Sequence, residues 1–221
     1  MMPMAYRALV FDLDGTLLNT LQDIADSVNS TLSSLGFPVH EVDAFKYFVG
    51  DGEDKLAFRS LPEDRRDAMT VKKVLVGFQE QYAVRWANNT RPYQGIPELL
   101  NALKEVGIRM AILSNKGQKF AEATVSRLLA DWRFDVVLGA QPSLPAKPDP
   151  TGALRIAGQM GVVAAEFLYL GDSGVDMKTA VAAGMYPVGA LWGYRKADEL
   201  LAAGARTFAE KPMDVVPLLN C

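Results

Sequence analysis

The sequence predicts an α/β fold: a doubly wound parallel sheet, interrupted near its start by a small α-helical insertion. Three observations lead there. Short, continuously apolar runs alternate with helical stretches through the later part of the 221-residue chain, and strands apolar on both faces belong to parallel sheets covered by helices on both sides. A nearly all-helical stretch separates the first apolar run from the others. Each apolar run gives way to polar residues, as expected where strand ends line a crevice.

Ala8-Leu9-Val10-Phe11 reads as the first strand. Over residues 21–35, Leu21, Ile24, Ala25, Val28, Leu32 and Leu35 fall on one helical stripe, which Gly36 and Pro38 end. Residues 42–48 and 55–61 read as short helices separated by Gly50-Asp51-Gly52. After Leu61-Pro62, residues 63–86 read as one long helix with Gly77 as its weak point. Beyond Asn88-Asn89 the texture changes. Helices are expected from Gly95 to about Val106 and over 118–130, 149–160 and 175–183, and strands over 109–113, 134–138, 167–170 and 186–191. Right-handed crossovers make this sheet doubly wound, or Rossmann-like. The expected organisation is a discontinuous core, residues 1–17 and 90–221, with residues 18–89 as a helical lid over the crevice.

Composition narrows the chemistry. Apolar residues make up 49% and charged residues 22%, with a net charge of −3, so neither nucleic acid nor an anionic membrane is an expected partner. The apolar run before Asp12 is too short for a signal-peptide core, and no run approaches the roughly 18 apolar residues of a membrane span; a cytoplasmic location is the expectation. The single cysteine, Cys221, allows neither an internal disulfide nor a cysteine zinc site. The single histidine, His40, lies in an expected loop and is not read as catalytic. Carboxylates, lysines and hydroxyls are left to do any chemistry. Monomer and homodimer both stay open.

Those groups collect at four strand ends. Asp12 and Asp14 follow the first strand, Ser114, Asn115 and Lys116 the second, Lys147-Pro148 lies beyond the third, and Asp172 and Asp176 follow the fourth. Each is weak evidence alone, since Asp-Gly is also a common turn pair. Together, Asp12, Asp172 and Asp176 would repel one another and call for a hard divalent cation with oxygen ligands, for which magnesium fits. Ser114 and Lys147 would then face an anion such as phosphate. Asp12 and Asp14, two apart, offer a nucleophile and a proton carrier side by side.

Asp12-Leu13-Asp14-Gly15-Thr16, Ser114-Asn115, Lys147-Pro148 and Gly171-Asp172-Ser173-Gly174-Val175-Asp176, in that order and each after a strand, resemble the four motifs of the haloacid dehalogenase superfamily. The resemblance spans the whole chain. It implies that Asp12 forms an aspartyl-phosphate and that Asp14 protonates the leaving group and later activates water. It also implies that Asp12, the Asp14 carbonyl and Asp172 hold magnesium, with Asp176 supporting, directly or through water. Ser114 and Lys147 complete the implied catalytic set. Leu13, Thr16, Asn115, Ser114 and Lys147 are implied to meet the substrate, and Thr16 resembles the residue that helps position the catalytic aspartate.

The helical insertion looks like the cap of the subgroup that includes phosphoglycolate phosphatases. In it, Gly50 and Gly52 sit where that subgroup carries a glycine-rich substrate loop, although they also suit a helix-breaking turn. Trp192-Gly193-Tyr194-Arg195 is similar to a late segment of the same enzymes, with plain packing as the other reading. Asn19 departs from a common aspartate, and Lys116 follows Ser114-Asn115 as in several relatives of this type. The implied activity is magnesium-dependent hydrolysis of a small phosphorylated metabolite, phosphoglycolate first among them. The alternatives are β-phosphoglucomutase-like phosphoryl transfer and a non-catalytic binding or regulatory protein on the same fold. A dehalogenase is disfavoured by Asp14, and a phosphonatase by the absence of any mark on Lys46 or Lys55.

Overall fold

The computed structural model describes residues 6–220, so expectations for residues 1–5 and for Cys221 lie outside the described residues. In chain order the elements are β1 (Ala8–Phe11), β2 (Leu18–Asn19), α1 (Leu21–Ser34), α2 (Phe45–Phe48), α3 (Glu53–Ser60), α4 (Ala68–Arg85), β3 (Arg91–Pro92), α5 (Ile96–Glu105), β4 (Arg109–Gly117), α6 (Gln118–Leu128), β5 (Val136–Ala140), α7 (Thr151–Met160), β6 (Phe167–Gly171), α8 (Gly174–Ala183), β7 (Tyr186–Ala190), α9 (Ala197–Ala202) and β8 (Thr207–Ala209). Short 3-10 segments intervene at Val42–Ala44, Glu63–Arg65 and Ala164–Glu166, and another, Pro212–Asn220, closes the chain. None of the helices in the described residues is long and apolar enough to cross a membrane.

The main sheet has six strands in the order β5-β4-β1-β6-β7-β8, all pairs parallel. It is the doubly wound α/β sheet that the sequence predicts. Strand β1 is central because it is apolar on both sides. Leu9 and Phe11 enter one core cluster with Ile112, Leu168 and Leu170, while Ala8 and Val10 enter the opposite one with Ala111, Leu113 and Tyr169. That division follows the two-residue alternation of strand side chains. Register then sets the site, because Phe11 lies opposite Ile112 on one side and Leu170 on the other. The residues just past these three positions therefore emerge at one edge.

Helices α1 to α4 pack around a core of their own that includes Ile24, Val28, Phe45, Leu56, Phe78 and Tyr82. The long helix expected over 63–86 is in fact a 3-10 turn followed by α4. The break falls at Asp67, whose carboxylate accepts from the amides of Met69 and Thr70 and so caps α4. Gly77 is a contact point rather than a weak one: a Cβ there would lie 2.5 Å from Thr31 Cγ2 on α1. His40 is structural, its ring nitrogen 2.7 Å from the Ser60 carbonyl and its ring edge-on to Phe45 and Phe48.

The chain crosses between these helices and the sheet twice, and the crossings pair as the antiparallel ribbon β2–β3. Asp23 ties the crossing together. Its side chain is 1% exposed and accepts from the Asn89 amide and side chain and from the Thr90 amide and hydroxyl, at 2.7–3.0 Å. Removing a buried charged acceptor strands its donors. Asp23→Ala should cost about 2–4 kcal/mol, seen as a lower urea midpoint at unchanged slope. A variant as stable as the parent would show that these bonds are worth no more than bonds to water.

Candidate active site

Four strand ends build the site. Beyond β1, Asp12 accepts a bond on Oδ1 from the Leu13 amide at 2.7 Å and lies 2.9 Å from Lys147 Nζ. Lys147 also lies 2.6 Å from Asp176 Oδ1. Asp176 is the N3 residue of a capping box at α8, its Oδ2 accepting from the Ser173 amide and hydroxyl. Asp172 directly follows β6, its Oδ1 taking the Thr16 hydroxyl at 3.0 Å and its Oδ2 the Tyr194 amide at 2.7 Å. Gly15 and Gly193 close over it, since a Cβ on either would fall within 2.4 Å of an Asp172 atom. Only glycine permits that approach.

Asp12, Asp172 and Asp176 each present an oxygen within 4.8 Å of the others, all buried. Three carboxylates against the one Lys147 ammonium leave two negative charges uncompensated if all ionise. Burial pushes the Asp12 carboxyl up, with Asp176 adding to the effect against the pull of Lys147. Burial, and then Asp176, pushes Asp172 up to about 7. Burial works against the charge of Lys147, but Asp12 and then Asp176 outweigh it and hold the lysine protonated. A buried, under-compensated cluster of carboxylate oxygens fits a hard divalent cation.

The remaining residues frame a cavity between sheet and helices. Asp12, Asp14, Ser114, Asn115 and Lys116 line one wall, and Gly50, Gly52, Glu53, Phe78 and Tyr82 belong to the other. It measures ≈ 60 Å³, several times the roughly 10–15 Å³ that accommodates one water. Asn115 joins the walls, its Nδ2 donating to the Gly50 carbonyl at 3.0 Å while Oδ1 receives the Lys147 amide. Strand β4 runs on through Ser114-Asn115-Lys116 to Gly117, further than its apolar stretch suggests; its register with β5 shifts between Leu113 and Gly117, which lies opposite Ala140, and the three polar residues between line the cavity.

Several residues stand differently from expectation. Asp12 and Asp14 line one cavity but engage different lysines, because the chain turns after Leu13 instead of staying extended. The Asp14 carboxylate meets Lys116 at 3.0 Å and stands apart from the acid cluster. Thr16 is fully buried and holds Asp172, not Asp12 or Asp14. The Leu13 side chain lies in the core, so only its backbone reaches the site. Both Asp176 oxygens are engaged by protein groups.

The sequence alone gives no sign of Tyr82, whose hydroxyl lies 2.7 Å from Lys116 Nζ, and leaves Tyr194 in a segment that is either similar to one in related enzymes or plain packing. The late segment is a strap: Trp192 donates to the Thr16 carbonyl, the Tyr194 hydroxyl meets Thr20 at the crossing, and Arg195 donates to the Val49 carbonyl. Its aromatic-glycine pattern was the one available signal.

Comparison with known proteins places the chain. The sequence profile of the family described as haloacid dehalogenase-like hydrolase matches residues 9–190. The phosphoglycolate phosphatase of Haemophilus influenzae is 34% identical over 196 residues, 86% of this chain and 87% of that protein. The phosphoglycolate phosphatase of Neisseria gonorrhoeae is 35% identical over 192 residues, covering 85% and 81%. A crystal structure from Lactobacillus delbrueckii subsp. bulgaricus, of a phosphoglycolate phosphatase candidate, superposes with a TM-score of 0.92 at 26% identity, over 98% of this chain and 99% of that one.

Proposed function

The chain belongs to the haloacid dehalogenase-like hydrolase family, as a phosphatase, and from that premise we propose that it hydrolyses a small phosphomonoester through an aspartyl-phosphate on Asp12, with phosphoglycolate as the leading substrate. One observation carries the reading. Asp12 sits at the end of the central strand, paired with Lys147 and clustered with Asp172 and Asp176, at the wall of a small cavity. The named relatives support the substrate, and a cavity of ≈ 60 Å³ suits a short one.

In the first step an Asp12 oxygen attacks phosphorus, the bond from phosphorus to the ester oxygen breaks, and Asp14 gives its proton to the departing alcohol. In the second, Asp14 takes a proton from water as that water attacks the phosphorus of the acyl phosphate, freeing phosphate and Asp12. The Ser114 hydroxyl and the Lys147 ammonium hold the phosphoryl oxygens. Asn115 and Asp176 keep Lys147 in place through its amide and its ammonium. Asp12, Asp172 and the Asp14 carbonyl would hold magnesium, with Asp176 behind them; the ion would supply charge neutralisation for the phosphoryl oxygens and keep Asp12 ionised. Residues 18–89 act as the lid that shuts water out, with Gly50 and Gly52 above the substrate.

Two measurements follow. Turnover of an aryl phosphate should need magnesium and vanish in chelator; full turnover in chelator would remove the ion from the account. Stability should also respond to the ion in a pH-dependent way. Without a cation, Asp172 keeps its proton to about pH 7 in the folded protein, whereas an unfolded aspartate releases it near pH ~4. A raised carboxyl makes folding less favourable as pH climbs through that window. The gain in Tm on adding magnesium should therefore be larger at pH 8 than at pH 5, and an equal gain at both would contradict binding at these acids.

A further inference from the structure

Two lysines reach the site, and the chemistry above uses one. Lys147 pairs with Asp12, on the phosphate side. Lys116 Nζ lies 3.0 and 3.3 Å from the two Asp14 oxygens and 2.7 Å from the Tyr82 hydroxyl, over whose ring it stands at 4.7 Å. Its side chain is 5% exposed. Burying a cation is costly unless it is paired, and Asp14 alone would serve as that pair. The chain nonetheless brings a second partner to it, from the lid.

We propose that Lys116 reads a carboxylate on the leaving group, which makes the substrates short phosphomonoesters with a carboxylate close to the ester oxygen. The inference rests on the phosphatase reading and deepens it. Asp14 delivers its proton to the leaving oxygen, so the side chain bonded to Asp14 faces the leaving group. An ammonium has three donors. The two Asp14 oxygens, at 3.0 and 3.3 Å, and Tyr82 take all three, which fixes the direction of Nζ; a ligand carboxylate would replace the longer Asp14 bond. Among the described residues lining the cavity, Lys116 is the single cation. The lid contributes glycines, apolar side chains, Tyr82 and Glu53, and no lysine or arginine. A substrate carboxylate therefore has one charged partner, while Glu53, held by Gln79 at 2.7 Å, repels it from the lid wall. Lys116 in the cavity wall and Lys147 paired with Asp12 give one cation for each of two anionic groups on one short substrate. Tyr82 makes the second cation dependent on the lid, because the tether exists only with helix α4 in place.

The test compares kcat/KM for phosphoglycolate and for ethyl phosphate, which has a similar length and no carboxylate, with magnesium present. The wild type should favour phosphoglycolate. A charge-assisted hydrogen bond of this kind is worth about 10–100-fold. Lys116→Met should lose that factor for phosphoglycolate relative to ethyl phosphate, mainly through KM, whatever it does to both substrates through Asp14. Lys116→Arg, which keeps the charge, should retain part of the preference, and Tyr82→Phe should raise KM for phosphoglycolate alone. An equal loss on both substrates in Lys116→Met overturns the proposal and reduces Lys116 to a support for Asp14. Should the Met variant not fold, a wild type that handles the two substrates equally well overturns it without any variant. A wild type that hydrolyses neither these esters nor an aryl phosphate refutes the phosphatase reading itself, a different result from a lost preference.

Discussion

Asp12→Asn should lower kcat by about 10⁴-fold or more, the scale on which removal of an attacking side chain is felt in a covalent mechanism. The amide keeps the shape of the carboxylate but not its nucleophilic charge, and it loses the ion pair with Lys147. Fold is not at stake to the same degree. Burial already pushes the Asp12 carboxyl up, so the uncharged form is tolerated where it stands. The variant should give a cooperative melt beside an absent rate. Residual activity near that of the parent would move the nucleophile elsewhere.

Asp14→Asn should have the next largest effect, roughly 10²–10⁴-fold, as expected for general acid–base catalysis. Its size should depend on the leaving group. An alkyl alcohol needs a proton as it departs, while a nitrophenolate does not. The loss in forming the acyl phosphate should be large for phosphoglycolate and small for an aryl ester. Breakdown of the acyl phosphate needs Asp14 as base with either substrate. Replacing Asp14 also removes the anionic partner of Lys116, so the Asp14→Asn protein carries a buried ammonium with only neutral acceptors, the asparagine amide oxygen and the Tyr82 hydroxyl, at these two contacts. Leaving-group independence across alkyl and aryl esters would take the proton transfer away from Asp14.

The inner strands β4, β1, β6 and β7 are legible because they are largely buried on both faces, and a run such as Phe167-Leu168-Tyr169-Leu170 has no amphipathic alternative. The edge is not. Strand β8 has three residues, too few for a period to register, and the closing 3-10 segment from Pro212 carries a proline inside it. Among helices α1 to α4, the break before α4 depends on Asp67 acting as a cap, and one acid among several in that stretch is not distinctive. The acids of the core site could be read because they follow strands, where position alone predicts exposure to the crevice.

Residues that act across long separations in the chain could not be read that way. Asp23 looks like an ordinary acid in the first turn of a helix, yet it is buried and accepts from residues 66 and 67 positions on. Tyr82 falls among the apolar positions of α4, where its ring does serve the core packed by helices α1 to α4, and nothing local announces that its hydroxyl meets Lys116. Thr16 has a motif position that suggested an aspartate partner. Which aspartate depended on how β6 delivers Asp172 beneath Gly193, a packing fact.

The central claim is the covalent intermediate on Asp12, and the Asp14→Asn variant offers the most direct view of it. With an aryl phosphate the leaving group departs without help, and the missing base should then leave the acyl phosphate standing. Acid quench followed by mass spectrometry of the peptide containing Asp12 should show one phosphoryl group, on Asp12, removed by hydroxylamine and matched by a burst of aryl alcohol. A burst or steady turnover of the aryl ester in that variant, with the Asp12 peptide unmodified at every quench time, would contradict the account.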